Sequence, residues 1–313
     1  MSLSVDGFSS IGAFGRTSET LCAAMASPGP LVPNVDTACL AAYFSMRTLR
    51  GSDRFSRLAL LGACLAMEDA SVPLAAGKTN FEGWGIVLTS GYGPVTPTLE
   101  FIDSLDTHGQ AMASPLAFSH SVHNIPAAVI AKNLNIVGPC STVCIVENPV
   151  ASGLLLAWGW LMEGRVEHVL FGAVDEMTPT LARTTERIVT ERPMPAYASR
   201  KDYPVADGAC FFCLSRDGDC ARGQVLEVNL GSSHAGSFAM DASGLRFASG
   251  SISAAERVAM NAVNGYAAYG NLPVAQAFDC VAALAQLECG GEAVSIHRDQ
   301  GLFSVIKLGG KKA

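Results

Sequence analysis

Few side chains in this sequence stand where they could do chemistry. Glu147 lies between a short apolar, partly β-branched run, Ser141 to Val146, and Pro149, which opens a second apolar stretch from Val150 to Met162. The first run suits a buried strand, and the second, apolar on nearly every side, suits a helix in a large core. Pro149 is tolerated in the first turn of that helix. A strand that turns sharply into a buried helix is a seat for a reactive or anionic group, because free N–H groups and the positive dipole end stabilise charge there. A carboxylate at this place reads either as a first-turn cap or as a general base in a closed apolar pocket. Cys144 is the nearest thiol. Inside a strand it lacks the helix end that would lower its pKa, so it reads as inert unless the register is displaced by three residues.

The remaining candidates read more plainly. His120 and His123 sit near a helix start and are expected to be structural. Cys210 and Cys213 have a redox or metal spacing, but ACFFCLS reads as a strand whose positions three apart face opposite ways, so both are expected to be core thiols. His297 and Asp299 fall on a terminal hairpin and are expected to be exposed. No His or Cys partner recurs at ligand spacing, so neither a metal nor another cofactor is expected.

The elements that must position these groups alternate. The spacing predicts a strand over Val5 to Gly12, a helix over Phe55 to Glu68, a strand over Gly85 to Ser90 and a helix over Thr96 to Leu105. A helix over His120 to Asn133, broken by Gly138-Pro139, leads into the strand and helix around Glu147. Gly164 ends that helix before a strand over His168 to Val174. Alternation of this kind predicts a mostly parallel sheet covered by helices. Beyond it come strands over Gly208 to Ser215 and Val225 to Leu230, helices over Ser253 to Val263 and Val274 to Glu288, and two final strands. Thr178 to Tyr203 and Gly231 to Gly250 read as loops.

Composition narrows the class. Of 313 residues, 49% are apolar and 16% charged, which suggests a large core and a buried oligomer face. Lys+Arg 21 against Asp+Glu 28 gives 21 − 28 = −7, which argues against nucleic acid or an anionic membrane as partner. No apolar run reaches membrane-spanning length and no signal pattern opens the chain, so a cytoplasmic location with ten reduced thiols is expected.

Residues 118 to 176 resemble β-ketoacyl synthases of the thiolase fold. In that family a Gly-Pro precedes an apolar strand, a Cys-bearing elbow, a helix, a Gly and a Gly-Gly-Ala-Glu strand. The counterparts here are Gly138-Pro139, Thr142 to Val146, Gly164 and FGAVDE ending at Glu176. Arg50 to Ala66 resembles the family's Asp-Arg-Phe helix, and Gly85 to Gly93 its glycine turn. Tyr203 to Arg222 resembles its Gly-Glu-Gly-Ala strand with Asp207 for the Glu. Tyr269 to Ala285 resembles its last long helix, and Asp299 to Leu308 its final hairpin. The resemblance implies two pseudo-duplicated mixed-sheet halves, residues 1 to 177 and 178 to 313, in a five-layer α-β-α-β-α arrangement, the second half abbreviated.

The resemblance also implies which groups are missing. Aligned from Thr142-Val143 and from Gly164, Glu147 falls at the nucleophile position. Gly270 falls at the second catalytic His. No His-Gly-Thr occurs between His234 and Asn264, and Ser295 to Gly301 replaces the family's glycine-rich oxyanion loop. Such losses characterise the chain-length factors, catalytically silent partners of an active ketosynthase. Ser121-Val122-His123-Asn124 is most similar to members tied to bacterial polyene or fatty-acid-like pathways. The implied partners are a ketosynthase subunit or a second copy, and an acyl carrier protein. His123, Asn124, Ala127, Glu147 and Asn148 would line the elbow and acyl tunnel, with Pro126 and Val129 to Ala131 nearby. Thr142, Val143, Cys144 and Ile145 would form the dimer seam. Two other readings stay open: an acyl-processing enzyme using Cys144 or Glu147, and a homodimer that only binds an acyl chain.

Overall fold

A computed structural model of the chain describes residues 2–32, 34–74, 80–191, 200–216, 218, 222–232, 244–299 and 301–311. Its strands are β1 Leu3–Gly12, β2 Trp84–Ser90, β3 Cys140–Cys144, β4 His168–Asp175, β5 Gly208–Ser215, β6 Gly223–Ser232, β7 Leu245–Gly250, β8 Glu292–Asp299 and β9 Leu302–Gly309. They join in the order β3-β2-β4-β5-β1-β6-β9-β8-β7.

That order contains a repeat. β1 is antiparallel to β5, β5 to β4, and β4 is parallel to β2. In the second half β6 is antiparallel to β9, β9 to β8, and β8 is parallel to β7. The same pairing relations thus occur twice, and β3 has no counterpart among the described residues. The two sets are joined by only three residue pairs, Leu3↔Val225 to Val5↔Gly223. β5 belongs to the first set, although it lies beyond residue 177 in the chain.

Helices fill the layers. The Pro149–Met162 helix packs on β2 and β4 from one side and on β6 and β9 from the other. The Ala275–Gln286 helix, buried almost throughout, likewise reaches both sets. The helices Arg54–Asp69 and Ile125–Leu134 cover the first set from outside. Asp53 caps the former, its carboxylate accepting the Ser56 amide at 2.8 Å. Gly62 lets this helix approach the sheet, since a Cβ there would lie 2.6 Å from the Phe211 ring. The outer face of the second set is covered only thinly: Ile252, Met260 and Ala262, beside the short helix Ala254–Ala259, meet Ala248, Val294 and Ile296. This thin cover matches the abbreviated second half that the resemblance implies.

Four expectations change. The helix expected over His120 to Asn133 is two, Pro115–Ser121 and Ile125–Leu134, because Pro126 in the first turn starts a new helix after Asn124. His123 and Asn124 therefore lie in the break. The expected loop over Thr178 to Tyr203 contains the amphipathic helix Pro179–Glu191; residues 192–199 lie outside the described residues. Within the expected loop over Gly231 to Gly250, residues 245–250 form β7, paired with β8, and 233–243 lie outside the described residues. The helix expected to reach Val263 ends at Ala259.

Candidate functional site

The elbow is built by backbone geometry. β3 ends at Cys144, and the Ile145 amide makes one more bond, to the Ser90 carbonyl at 3.0 Å. The chain then turns into the Pro149–Met162 helix through Asn148, at φ 53° and ψ 46°. That left-handed conformation suits Asn among non-glycine residues. Asn148, one residue after Glu147, thus occupies the sharp strand-to-helix turn.

Asn148 is fully buried. Its Oδ1 accepts from the Ser304 hydroxyl at 2.6 Å, and Ser304 Oγ is also 3.1 Å from Gln276 Oε1. Gln276 Nε2 donates to the Ser295 carbonyl at 3.4 Å. Among the described residues no group accepts from Asn148 Nδ2. The elbow side chain is an amide held by the Ser304 hydroxyl, which Gln276 in turn contacts.

Ser304 begins a row. It stands opposite His297 in the β8–β9 ladder, and His297 stands opposite Ser249 in the β7–β8 ladder, so the three side chains share one face. His297 Nδ1 is 2.9 Å from Ser249 Oγ, and Nε2 is 3.1 Å from Asp299 Oδ2. Arg200 Nη2 donates to Asp299 Oδ1 at 3.0 Å. Ser304, His297, Ser249, Asp299 and Arg200 are all buried. His297 and Asp299 are thus interior residues, contrary to expectation, because β7 and the Arg200 segment cover that face. Burial works against ionised Asp299, but the hydrogen bond from His297 and the charges of His297 and Arg200 hold it below the usual carboxylate range. Nearby, Tyr269 donates to Asp279 at 2.9 Å. Burial pushes Asp279 up to about 7, against the hydroxyls of Tyr269 and Ser249 and the charge of Arg257.

The other predicted groups distribute around this core. Gly270 sits at φ 81°, and a Cβ there would lie 2.8 Å from the Ala206 Cβ, so no imidazole fits at that position. Its neighbour Asn271 is buried and bridges Val205. Cys144 stands at the end of β3 with part of its surface open and its thiol partly enclosed; that partial burial, then the charge of Asp175, pushes the thiol up to about 11. His123 and Cys144 meet over Gly93: a Cβ there would lie 2.5 Å from the His123 ring and 3.4 Å from the Cys144 sulfur. Asn124 is exposed, and Glu147 is half-buried. Ala127 is buried in the first-half core cluster that also contains Leu58 and Ile130. Cys210 and Cys213 are buried thiols pushed well up by burial. Asp207, standing for the family's Glu, is fully buried, ion-paired to Arg54, and accepts the Met177 and Val35 amides at 2.8 and 2.6 Å. A cleft of about 590 Å³ lies between the Pro179–Glu191 helix and residues 200–205, beside Arg200; Asn148 does not line it. Among the described residues no helix is long and apolar enough to cross a membrane.

The polar row escaped sequence reasoning. Its one legible signal is the alternation Ser295, His297, Asp299, which places three polar groups on one strand face.

Comparisons agree with this architecture. Residues 54–201 match the family "Beta-ketoacyl synthase, N-terminal domain". A type II polyketide synthase acyl-carrier protein in complex with its ketosynthase bound to a hexaketide superposes with a TM-score of 0.80 at 13% identity, covering 98% of this chain and 99% of that one. The ishigamide ketosynthase/chain length factor gives 0.74 at 17% identity, with both chains covered fully. The ketosynthase–chain length factor of PfaC gives 0.68 at 14%, covering 99% of this chain and 43% of that one. Among curated proteins, none matches the sequence.

Proposed function

We propose that this chain, whose fold is that of the ketosynthase structures it superposes on, is a non-catalytic, chain-length-factor-like partner of an active β-ketoacyl-carrier-protein synthase. The observation that carries this reading is the elbow. Glu147 stands at the position the resemblance gives to the nucleophile, and the turn residue after it, Asn148, is a buried amide bonded to Ser304; neither is the accessible thiol a condensing enzyme needs. Among the described residues no Cys–His–His set surrounds the turn: Gly270 leaves no room for a side chain, and partial burial, then the charge of Asp175, pushes the Cys144 thiol up to about 11. His297 is committed on both nitrogens, to Ser249 and Asp299.

In this reading the chain contributes shape. It pairs through β3 with a ketosynthase, binds near an acyl carrier protein, and bounds the space available to a growing acyl chain in fatty-acid-like, polyene or polyketide synthesis. Each methylene excluded from an apolar space forfeits about 0.8 kcal/mol of burial, so such a boundary selects length steeply. The test is co-expression with an active ketosynthase from the same organism, followed by tandem purification and product analysis. The expected result is a stable complex whose product length changes when this chain is exchanged. A ketosynthase that neither binds this chain nor alters its product in its presence would end the proposal.

A further inference from the structure

The polar row continues past the elbow into groups that the elbow does not use. The Ala275–Gln286 helix packs on β7 and β8 and carries Asp279 to Ser249, so the carboxyl and the His297 ring flank one hydroxyl. Ser249, His297 and Asp279 are fully buried, which puts this Ser, His and acid out of reach of a substrate.

Hydrogen-bond accounting places the protons. Arg200 donates to Asp299 Oδ1 at 3.0 Å, and Asp299 Oδ2, on a carboxyl held below the usual range, faces His297 Nε2 at 3.1 Å. A carboxylate only accepts, so Nε2 carries a proton, and in a neutral imidazole Nδ1 is then an acceptor. Ser249 Oγ lies 2.9 Å from Nδ1 and donates its single proton there. Toward Asp279 the same hydroxyl is left only to accept. The Asp279 carboxyl takes the Tyr269 proton on Oδ1 at 2.9 Å, while Oδ2 has no partner among the described residues. A proton on Oδ2, directed at Ser249, completes a chain from Tyr269 to Arg200 in which each donor meets an acceptor. Burial favours that protonated form.

The groups facing Asp279 from other elements are Arg257, Tyr266, Tyr269 and Cys210, with Cys280 beside it on its own helix. Burial pushes both thiols and both phenols up, so among these neighbours none competes with Asp279 for a proton near neutral pH. Ionising Asp279 breaks the chain. The hydroxyl then has one proton and two acceptors, and the charged acceptor wins. His297 Nδ1 is left buried without a donor.

We propose that Asp279, Ser249 and His297 form a pH-operated switch in the interior: with Asp279 protonated the Ser249 hydroxyl points to His297, and with Asp279 ionised it turns to the carboxylate and releases Nδ1. The motion is the rotation of one hydroxyl. Its consequence above neutral pH is a weaker tie between β7 and β8 through Nδ1, with the Asp299 and Arg200 side of His297 unchanged. The switch does not depend on the partner reading of the elbow, and either can fail without the other.

The experiment is nitrogen-15 NMR of the full chain labelled at its six histidines, over a pH range that spans the Asp279 value of about 7. The His297 signals are those missing from His297→Gln. The expected result is a ring that keeps its proton on Nε2 throughout, while Nδ1 shifts from a hydrogen-bonded to a bare acceptor with a midpoint near 7. In Asp279→Asn, which does not titrate, Nδ1 should stay at the bonded position at every pH. In Ser249→Ala it should stay at the bare position. Movement of Nδ1 that persists in Asp279→Asn means that the ring itself titrates and overturns the switch. A wild-type Nδ1 that does not move, or that carries a proton at neutral pH, overturns it as well. Asp279→Asn is nearly isosteric and decides the matter even where Ser249→Ala fails to fold.

Discussion

Asp279 offers a direct reading of the closed interior. It lies fully buried on the Ala275–Gln286 helix, and burial raises its pKa from 3.8 to about 7. A carboxyl whose folded pKa is raised binds its proton more tightly when folded. Its stabilising contribution is complete below the unfolded pKa and is lost as pH rises through the folded value, so the loss runs from about pH 4 to about pH 7. Each pKa unit corresponds to about 1.4 kcal/mol, so between pH 5 and pH 8 the wild type loses about 3 kcal/mol through this group. Asp279→Asn keeps the acceptor for the Tyr269 hydroxyl and removes the titration. Any fixed cost of the amide is the same at both pH values. Urea unfolding of both proteins at pH 5 and pH 8 is the assay. The variant's stability relative to wild type should rise by about 3 kcal/mol from the lower to the higher pH. A relative stability that is flat with pH, or that falls, would refute a dry interior carboxyl at this position.

Other substitutions probe other parts of the architecture. Arg54→Ala leaves Asp207 buried without its ion pair and should cost about 3–5 kcal/mol in unfolding measurements; the chain should melt well below wild type. Ala127→Phe overpacks the first-half core at a cost of about 1–3 kcal/mol and should leave product length in a reconstituted complex unchanged. Thr142→Pro removes an outward N–H at the centre of β3 and should abolish subunit association, seen as loss of the complex by size-exclusion chromatography, with little change in helix content by circular dichroism. Cys144→Ser should leave product formation by that complex unaltered, since its thiol is held protonated.

What could be read from sequence depended on whether the signal was local. ACFFCLS and the apolar Pro149–Met162 segment announce their state in a single window, and both lie close to where pattern placed them. The Pro179–Glu191 helix was hidden because it is short of apolar residues and its Thr, Arg and Glu mimic a loop. The doubled pairing pattern of the sheet is a property of hydrogen-bond topology, and no residue type encodes it. At the site, the resemblance put Glu147 at the nucleophile position, while the left-handed turn at the next residue, Asn148, is a backbone property that no residue pattern announces. The burial of His297 depended on Ser249 and Arg200, distant in sequence, whose contact with it no periodicity announces.

The central claim is that this chain holds no acyl-accepting nucleophile. Intact-mass measurement of its complex with a ketosynthase, after incubation with an acyl-loaded carrier protein, tests this directly. The account predicts an acyl adduct on the ketosynthase and an unshifted mass for this chain. An adduct on this chain that disappears with Cys144→Ser would contradict it.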